Sequence, residues 1–171
     1  MSAPSASLHY FRTSASAGAS GAAGPLLSPT EGFAAHGHDA ILLIARVLIA
    51  YAFVQGGIEK LLDIHAFTTN VLIARHVPFA SVLGVVAPCV ELFGGLAVLL
   101  GFQTRYAAVL MILFVITATA ISHRYWEYPE AARRMQEINF NKNVCILGGF
   151  LLLLAVGGGR FSIDGLWRRK A

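Results

Sequence analysis

The sequence predicts an all-α integral membrane four-helix bundle with a short interfacial helix between spans one and two. Three observations carry that class. Four apolar runs alternate with polar segments along 171 residues. The chain is 56% hydrophobic and only 13% charged, where soluble domains carry about 25% charged residues. One apolar run, residues 79–101, holds a single carboxylate, Glu91, near its middle, with the glycine pair Gly94-Gly95 one turn later. A carboxylate at bilayer depth costs roughly 2.5–3.5 kcal/mol on insertion scales, so it needs a partner, a proton or water. Small residues beside it let another backbone approach closely, which turns this face toward protein rather than lipid.

Composition also excludes. The net charge of +4 comes from scattered Lys and Arg, not from the clustered face a nucleic-acid partner requires. Cys89 and Cys145 each lie inside an apolar run, form no CxxC and have no metal-ligand spacing with a histidine. They read as free thiols without a redox cycle. The sequence has no nucleophile elbow, HExxH or P-loop, and no His pair four residues apart within a span. No metal is expected and no cofactor is evident, quinone aside.

In chain order, residues 1–39 are rich in Ser, Ala, Gly and Pro, with no run long enough for a signal-peptide core. They read as a disordered tail, and His36 and His38 as a solvated pair with too few ligands for a metal. Residues 40–167 form the transmembrane domain and residues 168–171 a basic tail. The first span, residues 41–62, is interrupted by Arg46 near its start and by Gln55, Gly56, Gly57, Glu59 and Lys60 near its end. Arg46 and Lys60 fall on nearly one helical face, so both could look inward; snorkelling to the interface is the alternative for each.

Residues 63–78 are too short to span, and their apolar positions recur at helical spacing, as in an interfacial amphipathic helix. Pro78 is expected to open the next helix. The second span covers residues 79–101, and a turn at 102–104 leads to the third, residues 105–121. That span ends in HRYWEY, whose aromatics suit the membrane interface. A polar loop is expected over residues 127–143, then a fourth span over 144–159. Arg and Lys are evenly divided between the two faces, so charge alone does not orient the bundle.

Two polar layers follow from antiparallel packing. Counted from the span ends, Arg46 and Glu91 lie ~8 Å and ~15 Å from the face shared by the termini. An Arg46–Glu91 buried ion pair is therefore expected, with a protonatable Glu91 in a relay as the functional alternative. The second layer lies near the opposite face. There Lys60, Glu59, His123, Asn141, Lys142 and Asn143 would line a vestibule for a substrate or polar head group. Histidine exchanges protons near physiological pH, so His123 and Glu91 are the candidate catalytic residues. Bland interfacial polarity explains most of the vestibule residues separately; their concentration near His123 and NFNKN favours a site.

The ordered segments ARVLIAYAFVQGGIEKLLD, PCVELFGGLAVLLGFQTRYAA, SHRYWE and NFNKNVCILGGFLLLLAVGGGRFSID resemble the DoxX family of small four-helix membrane proteins over about residues 40–167. The resemblance implies a multi-pass protein of the bacterial inner membrane with both termini cytoplasmic. It implies membership of a group often labelled oxidoreductases and linked to quinone-coupled thiosulfate oxidation and membrane redox complexes. It marks Arg46, Lys60, Glu91, His123, Asn141, Lys142 and Asn143. Three readings follow. The first is an accessory subunit of a redox system handling quinone or a small sulfur species, not catalytic alone. The second is a non-enzymatic assembly or partner-binding protein. The third is a small-molecule transporter, which four spans favour least. The partners expected are the lipid bilayer, a redox partner protein and a further copy in a homo-oligomer, and no nucleic acid.

Overall fold

The computed structural model describes residues 29–170. Among them the chain is helical without strands: α1 (Pro29–Leu62), α2 (Ile64–Phe67), α3 (Ala80–Leu100), α4 (Thr104–Ser122), α5 (Glu130–Val156) and α6 (Ile163–Arg168). Among the described residues, four stretches are long and apolar enough to cross a membrane: Gly37–Leu62, Ala80–Leu100, Thr104–Glu127 and Glu130–Val156. Even the shortest reaches about 30 Å at 1.5 Å per residue, the thickness of the hydrocarbon core. The expected all-α membrane bundle is what forms.

Several expected boundaries move. α1 already starts at Pro29, a residue suited to a first helical turn because its missing N–H is unpaired there anyway. Residues 29–39 are therefore helix rather than tail, and His36 and His38 lie on it; residues 1–28 lie outside the described residues. The polar stretch 127–143 is not a loop. α5 begins at Glu130, behind Pro129 in an extended conformation. Ala131, Ala132, Arg133, Arg134, Met135, Gln136 and Glu137 are good helix formers. Their polarity sets exposure to water, not helicity. The fourth helix thus starts fourteen residues before the expected Val144.

The segment between spans one and two is helical, as expected, but in three short pieces. Asp63 caps α2 by accepting the Ala66 N–H at 2.9 Å. A π-turn (Thr68–Leu72) and a 3-10 turn (Ile73–Arg75) follow. Thr68 packs directly on Gly84 of α3, where a Cβ would collide with its hydroxyl. Arg75 donates to the Tyr128 hydroxyl at 2.6 Å, and Tyr128 donates to the Ser122 carbonyl at 3.0 Å. The segment is thus tied to the α4–α5 turn. Pro78 does not open α3; Phe79 precedes it with φ 56°, and the helix begins at Ala80.

The core lies toward the end of the bundle that carries both termini. Ala50 and Phe53 of α1, Val98 of α3, Ala107, Ala108, Met111 and Val115 of α4, and Phe150 and Leu153 of α5 are buried together. Phe53 meets the rings of Phe114 at 6.4 Å and Phe150 at 5.4 Å. Such pairs contribute about 0.5–1.5 kcal/mol each beyond area burial. The most extensive helix contact is α1 on α3. It is antiparallel, and its register is set where side chains are missing. A Cβ on Gly57 would lie 2.8 Å from the Leu92 backbone nitrogen, and one on Gly95 would lie 3.2 Å from that of Val54. Gly101 faces Arg46 across the same seam.

Gly57→Ala is therefore expected to destabilise by about 1–3 kcal/mol through overpacking. Gly148, with nothing among the described residues within 4 Å of its Cβ direction, tolerates Ala without loss and with a gain of up to about 1 kcal/mol from helix propensity. Thermal unfolding of the two variants in detergent reads the contrast.

Candidate functional site

Lys60 lies in the last turn of α1. Helical side chains lean toward the N-terminus of their helix, so Lys60 reaches back into the bundle instead of snorkelling outward. Its Nζ lies 2.7 Å from Glu91 Oε2 and 3.0 Å from Oε1, and donates at 3.3 Å to the Gly56 carbonyl. These contacts engage the ammonium's donors. The Phe67 ring stands 5.9 Å from Nζ, within cation–π range. Gly56 makes the pair feasible, because a Cβ there would lie 2.8 Å from Glu91 Oε1 and 3.2 Å from Lys60 Nζ. The Glu91 side chain is 9% exposed and that of Lys60 34%. The carboxylate is enclosed while its partner touches the surroundings.

This corrects the expected Arg46–Glu91 pair. The α1–α3 register sets Arg46 against Gly101 and Gly56 against Glu91. Ten residues of α3, or ~15 Å, separate the two levels. Counting depth from apolar run ends failed because those ends are not level in the bundle. Arg46 is nevertheless inward and fully buried. Its Nη1 donates to the Leu99 carbonyl at 3.1 Å, and its Nη2 to the Phe161 carbonyl. Leu99 lies in the last turn of α3, where carbonyls lack helical partners and a cation is favoured.

Beside Arg46, a residue the sequence reasoning passed over closes the same end. Asp164 accepts from the Gln103 N–H, the Thr104 N–H and the Thr104 hydroxyl, each at 2.7 Å. It thereby caps the start of α4 and holds Gln103 at φ 46°. Ser162 caps α6 through the Gly165 N–H at 3.0 Å. The sequence signal was present: Ser162 precedes Asp164-Gly165 as a helix cap would. What it lacked was the distant helix start that Asp164 serves.

The expected vestibule does not converge. Asn143 turns inward and donates to Thr119 Oγ1 at 2.8 Å, which donates to the Val115 carbonyl at 2.6 Å. Thr119 lies in the last turn of α4 and Lys60 in that of α1, so both belong to the same end. His123 ends α4, with Nδ1 2.8 Å from Gln136 Oε1. Glu59 is exposed and accepts from Gln55 at 2.9 Å. Asn141 and Lys142 are exposed, and Lys142 donates to Asn139 at 3.2 Å. About 100° of rotation per residue explains the split: with Asn143 facing α4, its two predecessors face elsewhere. Tyr125, Trp126 and Phe140 stack edge-to-face near His123. The convergent chemistry is therefore Lys60 with Glu91: an ammonium able to donate to a carbonyl, next to a carboxylate able to take a proton.

A double-mutant cycle on Lys60→Met and Glu91→Gln should give a coupling on the order of 2 kcal/mol in unfolding free energy, because one buried partner would otherwise be left unpaired. The Arg46→Met and Glu91→Gln changes should add within about 0.5 kcal/mol.

Burial alone would push the Asp164 carboxyl up, but the Thr104 and Gln103 donors and the Arg168 charge outweigh it and hold it below its ordinary value. A depressed carboxyl contributes stability above its unfolded pKa of about 3.9, and that stability is lost as pH falls through the folded value. Unfolding temperatures followed below about pH 4 should fall more steeply for the wild type than for Asp164→Asn.

Comparison with known proteins fits this architecture. The DoxX family model matches residues 41–124. Inner membrane protein YphA of Escherichia coli K12 is 34% identical over 124 residues, covering 72% of this chain and 88% of the relative. Inner membrane protein YqjF of the same strain is 35% identical over 135 residues, covering 77% and 95%. A segment is 27% identical over 73 residues to the ER-derived vesicles protein ERV29 of Saccharomyces cerevisiae, covering 43% of this chain and 24% of that one. No solved structure is a significant match. With four membrane-crossing helices and two relatives matched over nearly their whole length, the chain is an integral membrane protein that belongs to the DoxX family.

Proposed function

We propose that this protein is an accessory subunit of a membrane redox system that receives a quinone head group at the Lys60–Glu91 pair. In this reading it lies in the bacterial inner membrane, as its E. coli relatives are named, with both termini cytoplasmic. The observation that carries the reading is an ion pair drawn into the apolar bundle with one partner enclosed and the other a third exposed. Intramembrane ionisable pairs of this kind mark ligand and proton pathways. A lipid-soluble ring can approach Lys60 from the side.

Reduction of a quinone to a quinol takes up two electrons and two protons. Lys60 would donate a hydrogen bond to one carbonyl oxygen and stabilise the negative charge that develops there. Glu91, when protonated, would pass one proton to that oxygen and be reprotonated with His123, at the same end of the bundle, as a carrier from water, while the second proton would reach the other carbonyl oxygen from water. The electrons come from a redox partner protein. A small sulfur species is a weaker fit, because the pair opens beside apolar Phe67.

Quinone extracted from gently purified wild-type protein should approach one equivalent. The Lys60→Met/Glu91→Gln variant should retain roughly tenfold less, as expected for losing hydrogen bonds to a charged group, while Gly148→Ala behaves as wild type. If no sample carries quinone, and membrane redox activity is the same with and without the protein, the assembly or partner-binding reading replaces this one.

A further inference from the structure

The far side of the molecule from Lys60 carries a different kind of surface. Where α1, α5 and α6 meet, Arg160, Arg168 and Arg169 line an open cleft of about 530 Å³ together with Asp39 and Gly159. A second cleft of about 330 Å³ is lined by Leu100, Phe161, Ile163 and Leu166, and again by Arg160 and Arg169. Two arginines therefore stand on the wall between a polar hollow and an apolar one. The level is that of the membrane interface, because α3 ends at Leu100, α4 starts at Thr104 and α5 ends at Val156. Phe102 and Trp167 meet edge-to-face at 5.7 Å there, and Phe161, Leu166 and Trp167 are each more than half exposed. Aromatics of this kind sit at head-group depth.

The local carboxylates are already engaged. Asp164 accepts three hydrogen bonds from the start of α4. Asp39 accepts the Arg160 N–H at 2.7 Å and lies 3.8 Å from its Nε. Among the described residues, Arg168 and Arg169 form no salt bridge. Excess positive charge thus faces the head-group layer beside an apolar hollow open to acyl chains.

We infer that this end of the protein is a binding site for an anionic glycerophospholipid. Its phosphodiester lies between Arg160 and Arg169, and its glycerol and upper acyl chains lie on Leu100, Ile163 and Leu166. Arginine suits the task because its planar fork holds phosphate oxygens in pairs. The lipid would brace α6 against the helix ends that Arg46 and Asp164 already join. Nothing in this inference depends on quinone binding at Lys60.

The test uses the full chain in phosphatidylcholine nanodiscs doped with phosphatidylglycerol, with retained lipid counted by native mass spectrometry after gentle release. Wild type should retain phosphatidylglycerol in preference to phosphatidylcholine. Arg160→Gln and Arg169→Gln should each lower that preference roughly fivefold, the weight of one cation at an anionic interface. The Lys versions keep the charge but lose the paired hydrogen bonds, so they should recover only part of it. Arg133→Gln/Arg134→Gln, at the other end, should leave it unchanged. Arg169 is exposed at the end of the chain, so Arg169→Gln reads the site even if Arg160→Gln unfolds the protein. The inference is overturned if Arg169→Gln has no effect, if the far-end variant loses as much, or if inorganic phosphate displaces the lipid, which would mark a general anion site.

Discussion

A carboxylate in hydrocarbon has to be neutralised, paired or wetted, and most of this bundle can be understood from how Glu91 is paired. Its partner comes from α1, so α1 and α3 must approach closely and in one register. Gly56 leaves the space in which Lys60 and Glu91 meet, while Gly57 and Gly95 let the two backbones touch on either side. Sliding the helices by a turn would drive a side chain into each of these gaps and strand the carboxylate. Packing and electrostatics therefore select the same register, which is the consistency expected of a sequence with one preferred structure.

The two ends of the bundle handle buried charge in different ways. At the end with the termini, Arg46 is fully buried and donates to the Leu99 and Phe161 carbonyls, and Asp164 accepts from Gln103 and Thr104 at the start of α4. That arrangement gathers the end of α3, the start of α4 and the α5–α6 connection into one closed clasp. At the other end Lys60 remains a third exposed above an enclosed Glu91. A closed clasp suits architecture; a pair with one accessible partner suits a ligand. This difference, more than the bare presence of charges, separates structural Arg46 from the candidate site.

The fold was largely legible because twenty-residue apolar runs carry their own length scale. The start of α5 was not, since the polar residues 130–143 give no hydropathy signal although residues 131–137 are good helix formers. Glu91 announced itself by its cost. Its partner is hidden because the ends of the apolar runs are not level in the bundle, whereas the glycines of the α1–α3 seam mark the level. Lys60 could have been placed from helix geometry alone: near a helix C-terminus, a long side chain leans back toward the middle of the span. The expected vestibule grouped Glu59, Asn141 and Lys142 by sequence position, but helical rotation sends them outward and leaves Asn143 on Thr119. Asp164 remained hidden because its donors, Gln103 and Thr104, lie some sixty residues earlier in the chain.

The central claim is that Glu91 is paired with Lys60 inside the bilayer. Solid-state NMR of the full chain in lipid, with a nitrogen–carbon dipolar measurement from the Lys60 Nζ to the Glu91 carboxyl carbon, tests it most directly. The account predicts direct-contact coupling, consistent with the 2.7 Å separation of Nζ and Oε2. A Glu91 carboxyl coupled instead to the Arg46 guanidinium, or to no side-chain nitrogen, would contradict it.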